Sequence, residues 1–78
     1  MIKELQKSTL QLQAARQRCI KRANHHMATL STIGEIHSEP DIEAVCASLN
    51  ELHGILNKIR EIRFAEFEID SLLRELEK

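Results

Sequence analysis

The sequence has no Trp and no Tyr, and Phe64 and Phe67 are its only aromatic residues. Gly occurs twice and Pro once. With so few turn formers and so few β-favouring side chains, a β-sandwich or barrel is excluded. Gly34 and Gly54, standing alone, provide no glycine-rich loop to cradle a phosphate. Cys19 and Cys46 are the only cysteines, so one covalent staple is the maximum. No apolar run approaches the ~18 residues of a membrane span. The start, Met1-Ile2-Lys3-Glu4-Leu5-Gln6-Lys7, mixes charged and apolar residues and lacks a signal-peptide core. Neither sign of charge dominates: 11 Lys+Arg stand against 12 Asp+Glu, for a net charge of −1.

What is present is a chain of 78 residues, 42% of them hydrophobic, too apolar for a disordered tail. It is short enough to be one domain, residues 1–78. Ordering a chain of this size costs on the order of 100 kcal/mol, and it buries only ~60–65% of its unfolded surface. Such chains need staples, metal or a partner, so a partner is expected, either another copy or another protein.

One strong break interrupts the pattern, at Gly34-Glu35-Ile36-His37-Ser38-Glu39-Pro40-Asp41. Gly34 suits the left-handed position after a helix end. Ser38 reads as an N-cap, with Pro40 in the first turn and acidic Glu39, Asp41 and Glu43 complementing a positive helix end. The chain therefore divides into a first helix at about 3–33, a turn at about 34–38 and a second helix at about 39–76. Two long helices with a short turn predict an all-α fold, an antiparallel two-helix hairpin associating into a larger helical bundle.

The first helix carries Leu5, Leu12, Cys19, Met27, Leu30 and Ile33 at helical spacing, with Arg16 and His26 interrupting the stripe. The second helix has the clearer pattern. Val45, Leu52, Ile59, Glu66 and Leu73 recur every seven residues, and so do Ser48, Ile55, Ile62, Ile69 and Leu76. This is a coiled-coil seam sustained over more than four heptads. A flanking row, Ile42, Leu49 and Leu56, widens the apolar face in the first half only, since Arg63 and Asp70 continue it. On this pattern Leu12, Cys19, Met27, Leu30, Ile42, Val45, Leu49, Leu52 and Leu56 are expected to pack the hairpin. Ile55, Ile59, Ile62, Ile69 and Leu73 are then expected to contact a partner. The register places Cys19 beside Gly54 and Met27 beside Cys46. It leaves Cys19 and Cys46 roughly 12 Å apart along the axis, too far for a disulfide. Free thiols without a secretion signal point to a reducing cytoplasm.

Residues 1–38 hold six basic and two acidic residues, whereas 39–78 hold five basic and ten acidic. Mutual compensation between the helices is the plain reading, with Lys3 and Lys7 lying beside the acidic stretch from Glu61 to Asp70. No catalytic residue, cofactor site or metal site is expected. The carboxylates fall on the solvent side of a hairpin with no deep pocket, and the chain is read as not an enzyme. His25, His26, His37, His53, Cys19 and Cys46 form no metal-binding spacing. Arg16, Arg18, Lys21 and Arg22 form a basic cluster that could meet phosphates. In that respect the chain is similar to the dimeric plasmid-copy-control RNA-binding hairpins of the Rop type, as are Cys46-Ala47-Ser48-Leu49 and Arg63-Phe64. The negative net charge and the lack of an aromatic on the first helix make nucleic acid the weaker reading.

Leu10-Gln11-Leu12-Gln13-Ala14-Ala15-Arg16, Glu39-Pro40-Asp41 and Ile55-Leu56-Asn57-Lys58-Ile59, with the chain length and the hairpin, carry a second resemblance. On these stretches the chain resembles the small co-chaperones of type III secretion needle subunits. The resemblance is diffuse and covers most of the chain. The family often carries Tyr where this chain has Ile62 and Arg63. It implies a protein of the bacterial cytoplasm that docks on a TPR-like partner chaperone. The pair then keeps the needle subunit, a virulence component, soluble and unpolymerised. Apart from the resemblance, an isolated hairpin is marginal, so without its partner the chain is expected to form a homodimer through the same seam of α2.

Overall fold

Between Ile33 and Glu39 the chain reverses direction, and almost everything on either side is helix. The computed structural model describes residues 1–77. Helix α1 runs Ile2–Ile33 and helix α2 runs Glu39–Leu76, with no strand among the described residues. The two lie side by side as an antiparallel hairpin measuring 60 × 14 × 14 Å. The long dimension matches a 38-residue helix at ~1.5 Å per residue. The radius of gyration, 17.7 Å, exceeds the ~11–12 Å expected of a compact chain this long.

The reversal is made by local chemistry. Gly34 has φ 70° and ψ −79°, and the Glu35 amide donates to the Ile33 carbonyl at 2.8 Å. This is a γ-turn with positive φ, strained for any residue with a Cβ and open to Gly. Ser38 is the N-cap of α2 in extended conformation, but its hydroxyl makes no capping bond. The carboxylate of Asp41 instead reaches back, its Oδ2 accepting the His37 amide at 3.0 Å. That is one half of a capping box, displaced by one residue. Glu39 and Asp41 also place negative charge in the first turn of α2.

The hairpin is held by one seam. On α1 the covered positions are Leu5, Leu12, Cys19, His26 and Ile33, alternating with Thr9, Arg16, Ala23 and Leu30. On α2 they are Val45, Leu52, Ile59, Glu66 and Leu73, alternating with Ser48, Ile55, Ile62 and Ile69. Steps of three and four alternate along both rows, as side chains meeting a single neighbouring helix require. Thr9 fits because its hydroxyl donates to the Leu5 carbonyl at 3.0 Å, which leaves its methyl for the seam. Among the described residues only Ala23, Ile55 and Ile62 are buried, each still 5–7% exposed, and the rest of the seam meets water at its edges.

This seam corrects two expectations drawn from the pattern. Met27 is 55% exposed, because the three-and-four rhythm from Leu5 arrives at His26 and passes it by. More consequentially, Val45 and Leu52 of α2 lie in the seam as expected, but they share it with the residues expected to meet a partner. Ile55 and Ile62, expected to meet a partner, are buried in the hairpin, and Ile59, Ile69 and Leu73 are half-buried in the same seam. Ile42, Leu49 and Leu56, expected to pack the hairpin, are 41%, 49% and 47% exposed. The physical reason is length. The two inner rows together, Val45, Leu52, Ile59 and Leu73 with Ile55, Ile62 and Ile69, stay largely apolar to the end of α2, whereas the Ile42–Leu56 row turns polar at Arg63. Apposing the longer face removes more apolar area from water.

Candidate functional site

Arg16 and Glu66 interrupt the apolar pattern of the two helices separately in the sequence. In the structure they are one interaction. Arg16 Nε lies 2.8 Å from Glu66 Oε1 inside the seam, with 23% and 19% of the two side chains exposed. Both atoms are shielded from solvent, yet the geometry is that of a charge contact rather than an aligned hydrogen bond. It is the one ion pair between the helices among the described residues. Lys3 and Lys7 make none, while Arg74–Asp70 is a surface pair within α2. An ion pair in an apolar seam adds little net stability, but it penalises any register in which either charge faces an aliphatic residue.

The open surface divides into distinct areas. A shallow groove on one flank is lined by Cys19, Arg22, Glu51, Gly54, Ile55 and Lys58. A Cβ on Gly54 would meet nothing within 4 Å, so the glycine is not there to admit a close contact within this chain. On the opposite flank Thr9, Gln13 and Arg16 of α1 line a groove with Arg63, Glu66, Phe67, Asp70 and Leu73 of α2. Seven-residue steps from Gln13 lead to Ile20 and Met27, and from Arg63 back to Leu56, Leu49 and Ile42. The turn half of this flank is therefore apolar and the open half polar. Arg18, Lys21, Arg22, His25 and His26 share a third area, basic and on α1 alone.

A fourth area was not singled out from the pattern. Phe64 and Phe67 are 66% and 68% exposed, and with Leu72, Glu68, Ser71 and Glu75 they line a patch on the outer side of α2. A signal for it does exist. Neither phenylalanine falls on a seam row, so a chain with only two aromatic residues spends both on its surface.

Cys19 is half-buried and Cys46 exposed, and both are free. Among the described residues no three His, Cys, Asp or Glu side chains converge as metal ligands would, and no helix is long and apolar enough to cross a membrane. His25 and His26 pack edge to face with ring centroids 5.8 Å apart. What fold and surface define is a helical hairpin that leaves apolar and aromatic patches open on its flanks. No protein-family model matches the chain, and neither a curated protein nor a solved structure matches it.

Proposed function

We propose that this hairpin is a small co-chaperone of a type III secretion system. In this reading it works in the bacterial cytoplasm, docked on a TPR-like partner chaperone, and the pair keeps the needle subunit soluble and unpolymerised. The observation that carries the reading is the Phe64–Phe67 patch. Two exposed aromatics one helical turn apart, bordered by Leu72 and rimmed by Glu68 and Glu75, have the make-up of an interface anchor with a polar rim. A concave surface built of helix pairs is a fitting receptor for a rod 60 Å long. The docking residues of this proposal are Phe64, Phe67 and Leu72, in place of the seam residues Ile55, Ile59, Ile62, Ile69 and Leu73, which the hairpin itself uses.

The test is affinity capture of the tagged chain from its native cytoplasm, with and without RNase, read by mass spectrometry. Recovery of a small TPR-like protein together with a needle-type subunit is the expected result. Phe64→Ala with Phe67→Ala should lose both while the far-ultraviolet dichroism of the chain stays unchanged. Capture unaffected by the double substitution removes the patch as the anchor. Recovery of neither protein overturns the chaperone reading.

The basic area of exposed Arg18, Lys21, Arg22 and His25, bordered by half-buried His26, favours a second reading, a Rop-like hairpin that binds RNA. Its mark in the same experiment is RNA that co-purifies and is lost on substituting Arg18 and Arg22 by Gln.

A further inference from the structure

The chain exposes 6302 Å², whereas a compact protein of its mass exposes about 4,900 Å². The surplus, about 1,400 Å², exceeds the ~800 Å² that each partner contributes to an interface of standard size. Part of that surplus is arranged as a second seam. Down the outer flank of α2, Ile42, Cys46, Leu49, His53 and Leu56 are all exposed. They follow one another in steps of four, three, four and three, the rhythm by which the inner face of α2 meets α1. Ile20 and Met27 of α1 border this row on the same flank.

The ends of the row differ in sign. One step before Ile42 stands Glu39. One step after Leu56 stands Arg60, and then Arg63, all three exposed. The same polarity holds for the whole rod. Residues 27–50, around the turn, carry four acidic residues and no Lys or Arg. Residues 16–26 and 51–63, which form the waist, carry seven basic residues and two acidic ones. An apolar row with acid at one end and base at the other complements itself when a second copy is laid against it antiparallel.

We propose that the occupant of this flank is a second copy of the chain, antiparallel and overlapped only over the turn halves, with the two-fold axis at Leu49. In that arrangement Ile42 meets Leu56 of the other copy, Cys46 meets His53, and Glu39 meets Arg60, each pair occurring twice by symmetry. Each acidic turn lies over the basic waist of the other copy. The alternatives are worse electrostatically. A parallel pair sets acid on acid, and a fully overlapped antiparallel pair sets one basic waist on the other. The polar open halves project from the two ends of the assembly, carrying Phe64 and Phe67. The pair does not depend on any chaperone partner, and those two side chains stay outside the overlap.

The register has a consequence for the thiols. The two Cys46 residues lie about six residues out of register across the axis, ~9 Å along it, beyond disulfide reach. The two Leu49 positions face each other directly. The experiment begins with sedimentation equilibrium of the intact chain across a concentration series, where a reversible approach to twice the 9.0 kDa mass is expected. A monomer at every concentration overturns the proposal. Under a mild oxidant, Leu49→Cys in a chain with Cys19→Ser and Cys46→Ser should cross-link in high yield, while the unaltered chain should not. Cross-linking of the unaltered chain through Cys46 as well as of the position-49 variant would mean a parallel pair in register, and no cross-link through position 49 would mean another register; either result overturns the proposed register. Glu39→Lys or Arg60→Glu alone should weaken the dimer at least tenfold, and the two together should restore it. Failure of the double exchange to restore association, with helicity retained, also overturns it. Capture of a helical partner through Phe64 and Phe67 is read separately and stands or falls without these results.

Discussion

Two aliphatic rows descend α2 with the same seven-residue period and end in different surroundings. Ile55 and Ile62 are 5% and 7% exposed, whereas Ile42, Leu49 and Leu56 are 41–49% exposed. Composition does not separate them, since both are built of Ile and Leu. Extent separates them. The inner row continues through Ile69 to the end of the helix and finds a partner in α1 along its length. The outer row stops at Arg63 and faces solvent. A heptad repeat states which residues share a face. It does not state whether that face meets the same chain or another one.

The largest effect should come from placing a charge in each row. Ile62→Asp buries an unpaired carboxylate in the seam between the helices, and in a hairpin with so few buried residues it should abolish the fold. Leu49→Asp puts the same charge where water already reaches and should leave helicity intact. Circular dichroism at 25 °C of the two variants checks the contrast, and equal loss of signal would break it.

A smaller effect is expected where the seam is polar. Glu66→Ala leaves Arg16 uncompensated and should cost roughly 3 kcal/mol, the low end for a buried pair, because a fifth of each side chain still meets water. Replacing both Arg16 and Glu66 by Leu should recover stability while loosening the register. Urea melts give the first quantity. Disulfide trapping between cysteines placed at facing seam positions gives the second.

The smallest effect should be a gain. Gly54 lies within α2 and nothing crowds it, so Gly54→Ala should stabilise the hairpin by ~1 kcal/mol. A higher melting temperature with unchanged capture would mean that the Cys19–Gly54 groove is plain surface. A higher melting temperature with lost capture would mean that a partner's backbone approaches there.

Much of this architecture was legible in the chain. The turn chemistry from Gly34 to Asp41 is local, so it could be read residue by residue. It located both inner helix ends, although the cap comes from Asp41 and not from the Ser38 hydroxyl. The long seam on α2 was equally legible as a periodicity. The seam on α1 was harder, because Thr9, Arg16 and His26 occupy places where aliphatic residues mark a pattern. Met27, one position beyond His26, stood in for the missing hydrophobe. The Phe64–Phe67 patch went unmarked because exposure has no period of its own.

By itself, then, the sequence determined two helices, their lengths, the reversal between them and the residues that share each face. All of these rest on interactions between residues at most a few turns apart. Only the tertiary structure decided which face α1 covers, that Arg16 and Glu66 neutralise each other across the seam, and that the Ile42–Leu56 row is left over. Those outcomes compare the area and charge gained by one whole face against another, a competition between surfaces distant along the chain.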